Sequence, residues 1–516
     1  MKMKRYIALF TALVLTVACF AGCGKKASNN KSNSEEITYW MPLDAGSAMS
    51  VTEYGETPFA QEWQKRTGVK IKFIHPPVGQ NSEKFSIMVA SGNLPDIVEY
   101  PWGNYPGGAD KAIKDGFIIP LNDKIEKNSP ALYKYLQENP DIDKGIKTDS
   151  GKYAGFPGIM GDNSLAVTAG LFLRADWLKD LSLPVPETID EWEKTLIAFK
   201  EQKGAKTPFS ANYNIFSWNL FVGAYGIGYG MYVDDGVVKF GPLESGYKDF
   251  LIKMNQWYKD GLLDKNFASI DGATEQANIL NGVSGASAGS LGGGLGKLIA
   301  AAPNETFDLV AAPSPVLKKG EKPEFGYSSS NIQGDIIAIT KDCKDIDGAM
   351  KFLDYGFTEE GRLFFNFGIE GESYEMIDGY PTYTEKITKD SSGLPMQATL
   401  ALYTRASNGA IGSIQDKRYL EQYAGLPQQQ NAWKTWSNTN AALHMLPTFT
   451  PTEEESERYS KLLTAIDTYN SEMILKFIMG YEPISNYEKY VQELKSRGID
   501  ELVKIHQDAY NRFINR

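Results

Sequence analysis

The sequence predicts an α/β protein built from more than one domain. Over residues 37–100, short apolar runs of strand type alternate with amphipathic helical segments, which is the pattern of a doubly wound sheet. The chain has 516 residues, enough for two or more domains with cores of their own. Its formal net charge is −11. An acidic chain without a basic stripe argues against nucleic acid or an anionic membrane surface as its main partner.

The first residues have the pattern of a lipoprotein leader. The basic segment MKMKR precedes an apolar run, ending at Phe20, that is too short to span a bilayer comfortably. Small residues then stand directly before Cys23, which resembles a lipobox whose cysteine is diacylated. We therefore predict a signal peptide over residues 1–22 and a polar, flexible tether over residues 23–36. Two acyl chains suffice for stable membrane attachment. The alternative is an ordinary secretory signal followed by a coincidental cysteine.

The cysteines and histidines argue against disulfides and metal sites. Only Cys343 remains once Cys19 leaves with the leader and Cys23 is lipidated, so the mature chain has no second thiol for a disulfide. No HExxH or CxxC pattern occurs. No two of the three histidines lie within helical reach of each other, and they are His75, His444 and His506. We expect no metal and no cofactor.

Strand and helix signals alternate through the first domain. The predicted segments are a strand over Ile37–Leu43, a helix over Pro58–Arg66, a strand over Val69–Ile74, a helix over Ser82–Ala90 and a strand at Ile97–Val98. In open α/β sheets, the loops beyond the carboxyl ends of the strands line the ligand crevice. Trp40 and Asp44 follow the first strand, and Trp102 and Tyr105 follow the third. These four residues are therefore candidates for a ligand site.

A strand, an extended arm and a capped helix are clearly marked in residues 171–203. An apolar run suits a buried strand end, and Pro184 and Pro186 forbid helix in the arm that follows. Thr188 and Glu191 form a capping box, in which the hydroxyl and the carboxylate each satisfy a free backbone N–H. Apolar residues recur behind it at helical spacing until a glycine ends the helix.

Several motifs resemble those of one protein family. The motifs are ASGNLPD at Ala90–Asp96, GKYAGFP at Gly151–Pro157, WYKDGLLDKNF at Trp257–Phe267 and NFGIEGESY at Asn366–Tyr374. Together with the capped segment, they resemble family 1 of the extracellular solute-binding proteins. The resemblance is strongest to the large, lipid-anchored, saccharide-type binders that serve ABC importers in Gram-positive bacteria. It runs from about Ile37 to the carboxyl terminus.

The resemblance implies a two-lobed type II periplasmic-binding-protein fold with a ligand cleft between the lobes. Residues 37–160 and 335–390 would form the N-terminal lobe, and residues 165–330 and 400–516 the C-terminal lobe. The chain would cross between lobes near residues 157–168, 328–335 and 383–400. The implied partners are an ABC permease and a solute, and the implied location is the extracellular face of the cell membrane, as a lipid-anchored monomer.

Two stretches modify what the resemblance implies. Many large family members carry a calcium loop after the capped helix, but residues 201–208 here lack the six or more oxygen ligands that calcium needs. The glycine-rich residues 282–296 do not form a phosphate loop, because Leu291 and Leu298 stand where glycine and Ser or Thr are required. We predict instead a loop whose backbone approaches a ligand closely, as the resemblance implies.

Aromatic and polar residues in predicted loops are typical of sugar recognition. A flat ring matches the C–H face of a pyranose, and neighbouring polar groups bind its hydroxyls. The predicted ligand-binding residues are Trp40, Asp44, Trp102, Tyr105, Trp218, Asn331, Gln333, Tyr374, Arg405, Trp433 and Trp436. Asp96 is interpreted as a turn cap or a further contact, and Arg174 as a structural ion-pair partner.

These observations predict a binding protein that is not an enzyme. The expected function is capture of an oligosaccharide by hinge closure and its delivery to a permease. A peptide or another polar solute is the alternative ligand. A cell-surface glycosidase is an alternative of a different class and would need two acids facing each other across the cleft. A surface sensor or adhesin that uses the same fold is the third.

Overall fold

Two separate sheets organise the chain in the computed structural model, which describes residues 36–43, 46–449 and 451–516. The predicted signal peptide, the tether to residue 35 and Cys23 lie outside these residues, as does Asp44. The strands are β1 Ile37–Trp40, β2 Ile71–Ile74, β3 Ile97–Tyr100, β4 Phe156–Met160, β5 Ala169–Arg174, β6 Met231–Asp234, β7 Val237–Phe240, β8 Ala286–Ser290, β9 Leu309–Ala312, β10 Ile332–Ile339, β11 Tyr374–Ile377, β12 Tyr380–Tyr383 and β13 Ile414–Gln415.

The helices cover the sheets, and the chain after β13 is helical apart from its connections. They are α1 Pro58–Thr67, α2 Asn81–Ser91, α3 Gly108–Lys114, α4 Ile125–Asn128, α5 Pro130–Glu138, α6 Pro140–Ile146, α7 Ala175–Asp180, α8 Ile189–Gln202, α9 Ser245–Lys259, α10 Gly272–Leu280, α11 Lys297–Ala300, α12 Ile346–Asp354, α13 Glu359–Phe367, α14 Glu385–Thr388, α15 Met396–Tyr403, α16 Lys417–Tyr423, α17 Pro427–Trp436, α18 Glu453–Met479, α19 Tyr487–Ser496 and α20 Ile499–Ile514. None of the helices in the described ranges has the length and apolar character to cross a membrane.

The first sheet has six strands in the order β13-β4-β10-β3-β1-β2. Strands β2 and β3 flank β1 in parallel, as the alternating strand and helix signals predict. Strand β10 enters antiparallel between β3 and β4, so the chain returns to this sheet late in the sequence. Strand β13, within the range predicted for the C-terminal lobe, pairs with β4 of this sheet. The exact lobe ranges and crossover positions stay a prediction.

The second sheet places β5 between β8 and β9, and both pairings are antiparallel. All six residues of β5 are buried. Residues 163–166 form a 3₁₀ turn, and the strand starts at Ala169, ahead of the apolar run that the sequence marks. Residues 282–296 are also not simply a loop, because part of them pairs with β5 as β8. The small side chains of β8 gave no strand signal in the sequence. The segment is a strand because it pairs with β5 in the fold.

Each sheet has a core of its own, and together they form two lobes. In the first lobe, Trp63 stacks on Phe352 with ring centroids 3.8 Å apart. In the second lobe, Trp192 and Trp257 are fully buried around Phe221. Helix α8 has the predicted capping box between Thr188 and Glu191, and its apolar stripe faces this core. The first lobe also buries Cys343, and burial raises the pKa of its thiol to about 12.

Helix α20 links the two lobes through charged side chains. Its core residues pack in the second lobe, but its last turns reach the segment after α6 in the first lobe. Arg512 Nε lies 2.9 Å from Asp149 Oδ2, and Arg516 pairs with the other oxygen of the same carboxylate. The Asp149 side chain is only 6% exposed. We call these three residues the Asp149 clasp.

Helix α20 also buries an uncharged histidine. His506 is 8% exposed and packs edge-on against Phe449, with ring centroids 4.8 Å apart. Neither ring nitrogen has a hydrogen-bond partner within the described residues. Burial lowers the pKa of His506 to about 4, because the charged imidazolium would lose its hydration there.

Acidification is therefore expected to destabilise the protein through His506. The unfolded histidine has a pKa near 6.5, so the contribution of the buried neutral ring is fully present above pH 6.5 and is lost as the pH falls through about 4. We expect the free energy of unfolding to drop by about 2–3 kcal/mol over this window, and His506→Phe to remove that part of the drop. Urea titrations at pH 4, 5 and 7 measure this. If the free energy of unfolding falls with pH equally in the unchanged protein and in His506→Phe, His506 is not the group responsible.

Candidate functional site

The two lobes line a cavity beside the segments that cross between the sheets. Its volume is about 400 Å³, and we call it the crossover cavity. The first sheet and its extensions contribute Gln333 and Gln415 to its lining, and the second lobe contributes Ser290 and Gly293. Residues from both lobes therefore line one solvent-open cavity, which is the usual location of a ligand site in a two-lobed α/β protein.

A second cavity continues the first into the second lobe. Its volume is about 300 Å³, and it shares Ser290 and Gly293 with the crossover cavity. Trp218, Glu275 and Gln276 are among the side chains that line it. We call it the Glu275 cavity. The shared residues place the two cavities side by side along one groove.

The glycine-rich segment forms the boundary between these cavities. Residues 291–296 make one π-helical turn after β8, and Ser290 Oγ accepts a hydrogen bond from the Gly294 N–H at 3.2 Å. A Cβ at Gly292 would lie 2.7 Å from the Tyr423 ring, so glycine lets this ring approach the backbone. Single π-helical turns are frequent at functional sites. The segment leaves backbone groups beside the cavities with no side chain in front of them.

The groove is polar but almost without charge. Among the described residues that line the two cavities, Glu275 is the only Asp, Glu, Lys, Arg or His. Burial raises the pKa of Glu275 to about 7. The charges of Asp264 and Asp271 also raise this pKa, whereas a hydrogen bond from the Asn212 backbone lowers it. Glutamine, serine and tyrosine side chains supply the other polar atoms. Such a surface can bind hydroxyl groups but offers no cation to an anionic ligand.

Three residues from the sequence prediction face cavities. Trp218 lines the Glu275 cavity, and Gln333 lines the crossover cavity. Asn331 instead faces a cavity of about 760 Å³ on the opposite side of β10, which we call the rear cavity. Its side-chain amide donates to Asn163 Oδ1 at 2.6 Å.

Six predicted aromatic residues are buried in cores. They are Trp40, Trp102, Tyr105, Tyr374, Trp433 and Trp436. The indole N–H of Trp433 donates to the Ser164 carbonyl at 2.7 Å, and that of Trp436 to the Leu171 carbonyl at 3.0 Å. The structure thus gives all six rings a packing role. Helix α17 directs the two indoles toward β5 and the 3₁₀ turn before it. As ligand contacts they stay predictions.

Arg405 is held inside the first lobe by a buried ion pair. It is 1% exposed, and its Nη2 lies 2.8 Å from Glu99 Oε1. Tyr39 donates its hydroxyl to the other Glu99 oxygen at 2.5 Å. Asp335 lies nearby, and its pKa is raised to about 6 by burial and by Glu99, against the opposing effect of Arg405. Contact between Arg405 and a ligand stays a prediction, and Asp44 lies outside the described residues.

Two further interpretations concern Asp96 and Arg174. Asp96 accepts hydrogen bonds from the Thr38 backbone and hydroxyl at 2.8 and 2.6 Å, which joins β1 to the turn before β3. Arg174 forms a two-point ion pair with Asp176 at 2.8 and 2.5 Å. Both side chains serve local structure, and the ion-pair interpretation of Arg174 is confirmed.

Sequence reasoning missed several residues of the groove. Tyr419 and Tyr423 stack with ring centroids 5.6 Å apart on α16, and both line the crossover cavity. Their spacing of four was the available signal for a shared helix face. Glu275 gave no signal, because an acid near a helix start usually serves only the helix. In the part of the chain that the structure describes, no group of three metal-ligating side chains could hold an ion.

The chain is similar in sequence to known bacterial proteins. A family model described as bacterial extracellular solute-binding protein matches residues 50–363. Lipoprotein LipO of Bacillus subtilis strain 168 is 24% identical over 519 residues, which cover 96% of each chain. FusA of Streptococcus pneumoniae serotype 4 is 23% identical over 99% of each chain, and it is described as a fructooligosaccharide ABC transporter substrate-binding protein.

The fold also matches solved structures. A crystal structure of alginate-binding protein AlgQ2 without calcium ion superposes with a TM-score of 0.73 at 23% sequence identity. The match covers 93% of this chain and 99% of that one. The likeness establishes the two-lobed fold with a cleft between the lobes, as the sequence predicts.

Proposed function

The chain belongs to the family of bacterial extracellular solute-binding proteins, and on this premise we propose that it captures an oligosaccharide between its lobes. It then delivers the sugar to an ABC permease in the membrane. The observation that carries the proposal is the groove of two adjoining cavities between and beside the sheets. Its tyrosine and tryptophan rings and its uncharged polar groups suit the two faces of a sugar, one apolar and one rich in hydroxyls.

Hinge closure is the mechanism that this geometry supports. The crossover cavity takes its lining from both lobes, so a ligand there contacts both at once. A ligand favours the closed form only to the extent that it binds this form more tightly than the open one. Contacts to Gln333 on one side and to Ser290 on the other would supply that difference. The closed form is then the one that docks on the permease.

The charge of the groove favours a sugar over the alternatives. A peptide brings a terminal carboxylate, but the described lining offers it no Lys, Arg or His. A glycosidase needs two carboxyl groups about 5–10 Å apart, and the same lining has only that of Glu275. These features support binding rather than hydrolysis.

A lipid anchor at Cys23 completes the proposal. The polar residues after it would act as a flexible tether at the extracellular face of the membrane. Tethering raises the effective concentration of the binder near its permease. The protein would act there as a monomer, because one chain contains both lobes.

A thermal-shift screen tests the ligand class. The panel contains the neutral trisaccharides kestose, maltotriose, xylotriose and mannotriose, the acidic trigalacturonate, and a tripeptide mixture. We expect a saccharide to raise the melting temperature, because a ligand at 100 times its Kd stabilises the native state by about 2.7 kcal/mol. Stabilisation by the peptides and by no saccharide would overturn the proposal.

A further inference from the structure

We propose that the Glu275 cavity is a subsite for a neutral sugar ring, whose hydroxyls donate to the Glu275 carboxylate and whose flat face lies against Trp218. The inference rests on the proposed function, because it names the class of oligosaccharide that the same groove accepts. It follows from three features of this cavity: an unpaired buried oxygen, an adjacent aromatic ring and the absence of a cation.

The unpaired oxygen belongs to Glu275 itself. Its Oε1 is buried and has no hydrogen-bond partner within the described residues. Helix α10 is held against the glycine-rich turn, where the Gln276 side-chain amide donates to the Gly293 carbonyl at 3.1 Å. The Glu275 side chain is half-buried and lines the cavity, so a rotation of its carboxyl group would present this oxygen to a ligand. Unsatisfied buried acceptors are rare and destabilising, and a ligand hydroxyl would satisfy this one.

The aromatic ring is that of Trp218. It is half-buried, lines the same cavity as Glu275, and packs edge-on against Tyr327 with ring centroids 5.3 Å apart. Tyr327 in turn lines the crossover cavity. A carboxylate beside an aromatic ring presents a strong acceptor and an apolar plane together, which is the pair of contacts that a pyranose or furanose ring offers in return.

Charge decides which sugars enter. The described lining of the Glu275 cavity has no Lys, Arg or His, and the neighbouring charges that act on Glu275 are the carboxylates of Asp264 and Asp271. Asp264 is occupied by the Ser210 hydroxyl at 3.0 Å, and Asp271 caps α10 through the Thr274 N–H at 2.7 Å. A uronate in this cavity would face like charge without compensation, so the subsite selects against acidic saccharides.

The same arrangement makes binding depend on pH. The groups that act on Glu275 are the Asn212 backbone N–H, which favours the ionised form, and Asp264 and Asp271, which disfavour it. Two hydroxyls can donate to the carboxylate, but the protonated acid has lost part of its acceptor capacity. Affinity for a neutral saccharide therefore rises as the pH passes from 6 to 8.

Calorimetric titration of the full chain with the trisaccharide panel tests the subsite. For the neutral trisaccharide with the largest thermal shift, we expect Glu275→Gln to weaken binding about tenfold or more and to flatten the pH dependence. The matched control is Glu305→Gln, which changes an exposed acid of the second lobe. It is expected to bind as the unchanged protein does. Trigalacturonate is expected to bind at least about tenfold more weakly than the neutral trisaccharide.

A stability measurement separates loss of binding from loss of folding. In the free protein, the folded pKa of Glu275 lies above its unfolded value, so its stability contribution falls as the pH rises from about 4.5 to about 7. Glu275→Gln should therefore melt at a temperature equal to or higher than the unchanged protein at pH 8.

The outcomes distinguish this inference from the proposed function. Equal affinity of Glu275→Gln and the unchanged protein for the neutral trisaccharide overturns the subsite. Preferred binding of trigalacturonate overturns the charge argument, while oligosaccharide capture stands. If the protein binds no saccharide at all, both the proposed function and the subsite are wrong.

Discussion

Replacement of Arg405 by methionine is expected to destabilise the protein by about 3–5 kcal/mol, because it leaves Glu99 as a buried charge without its partner. Glu99 is 4% exposed, and the Arg405 guanidinium provides its ion pair. The Tyr39 hydroxyl alone cannot replace that charge. Urea denaturation at pH 7 measures the change.

A matched pair of controls sharpens this result. Lys476→Met removes an exposed partner of Glu472 on α18 and is expected to change stability by no more than about 0.5 kcal/mol. The double variant Arg405→Met with Glu99→Gln removes both buried charges and is expected to recover much of the loss. If Arg405→Met instead unfolds like the unchanged protein but no longer binds a saccharide, Arg405 is a ligand contact and its structural role is minor.

Replacement of Asp149 by asparagine is expected to raise the affinity for ligand about tenfold and to lower the stability of the free protein by roughly 2 kcal/mol. The Asp149 clasp holds the last turns of α20 against the first lobe. Asparagine keeps the size of the side chain but cannot pair with two arginines. The free protein would therefore lose a contact that links its lobes.

The direction of the affinity change follows from the position of the clasp. Along β10, Gln333 faces the crossover cavity, whereas Ile332 faces the rear cavity together with Phe513 and Ile514 of α20. The clasp adjoins this rear side, where the Lys144 amine donates to the Ile514 carbonyl at 3.2 Å. Closing the lobes around the crossover segments separates the rear contacts, so weakening them favours closure.

Calorimetry and small-angle scattering of the ligand-free protein check this prediction. Asp149→Asn should bind more tightly and have a smaller radius of gyration than the unchanged protein. Glu501→Gln is the control, because its partner Arg458 belongs to the same lobe. Weaker binding by Asp149→Asn, with no change in scattering, would show that the clasp does not oppose closure.

Local signals made the helical elements predictable. Helix α8 was predicted from a capping box at Thr188 and Glu191 and from the glycine that follows it, and the structure has it over Ile189–Gln202. Strands β1, β2 and β3 of the first sheet were equally clear, since β-prone runs there alternate with helical segments. Signals of this kind lie within a few residues of each other, so they need no knowledge of the rest of the fold.

The ligand site depended on contacts between distant segments. Trp433 and Trp436 stand in a polar stretch, and only the packing of α17 against the second sheet buries them. Glu275 and Trp218 lie more than fifty residues apart, and the fold brings them to one cavity. Burial and cavity lining are properties of the assembled sheets, which no local pattern encodes.

Within the described ranges, Cys343 is the one cysteine, and its burial makes the motion of the lobes accessible to optical measurement. Cys343 has a pKa of about 12, so at pH 8 only about one molecule in ten thousand holds it as the reactive thiolate. Cysteines introduced at Glu83 on the first lobe and Glu305 on the second would be exposed. Maleimide dyes would then label these two sites while Cys343 stays native, and energy transfer between the dyes would follow the lobes in single molecules.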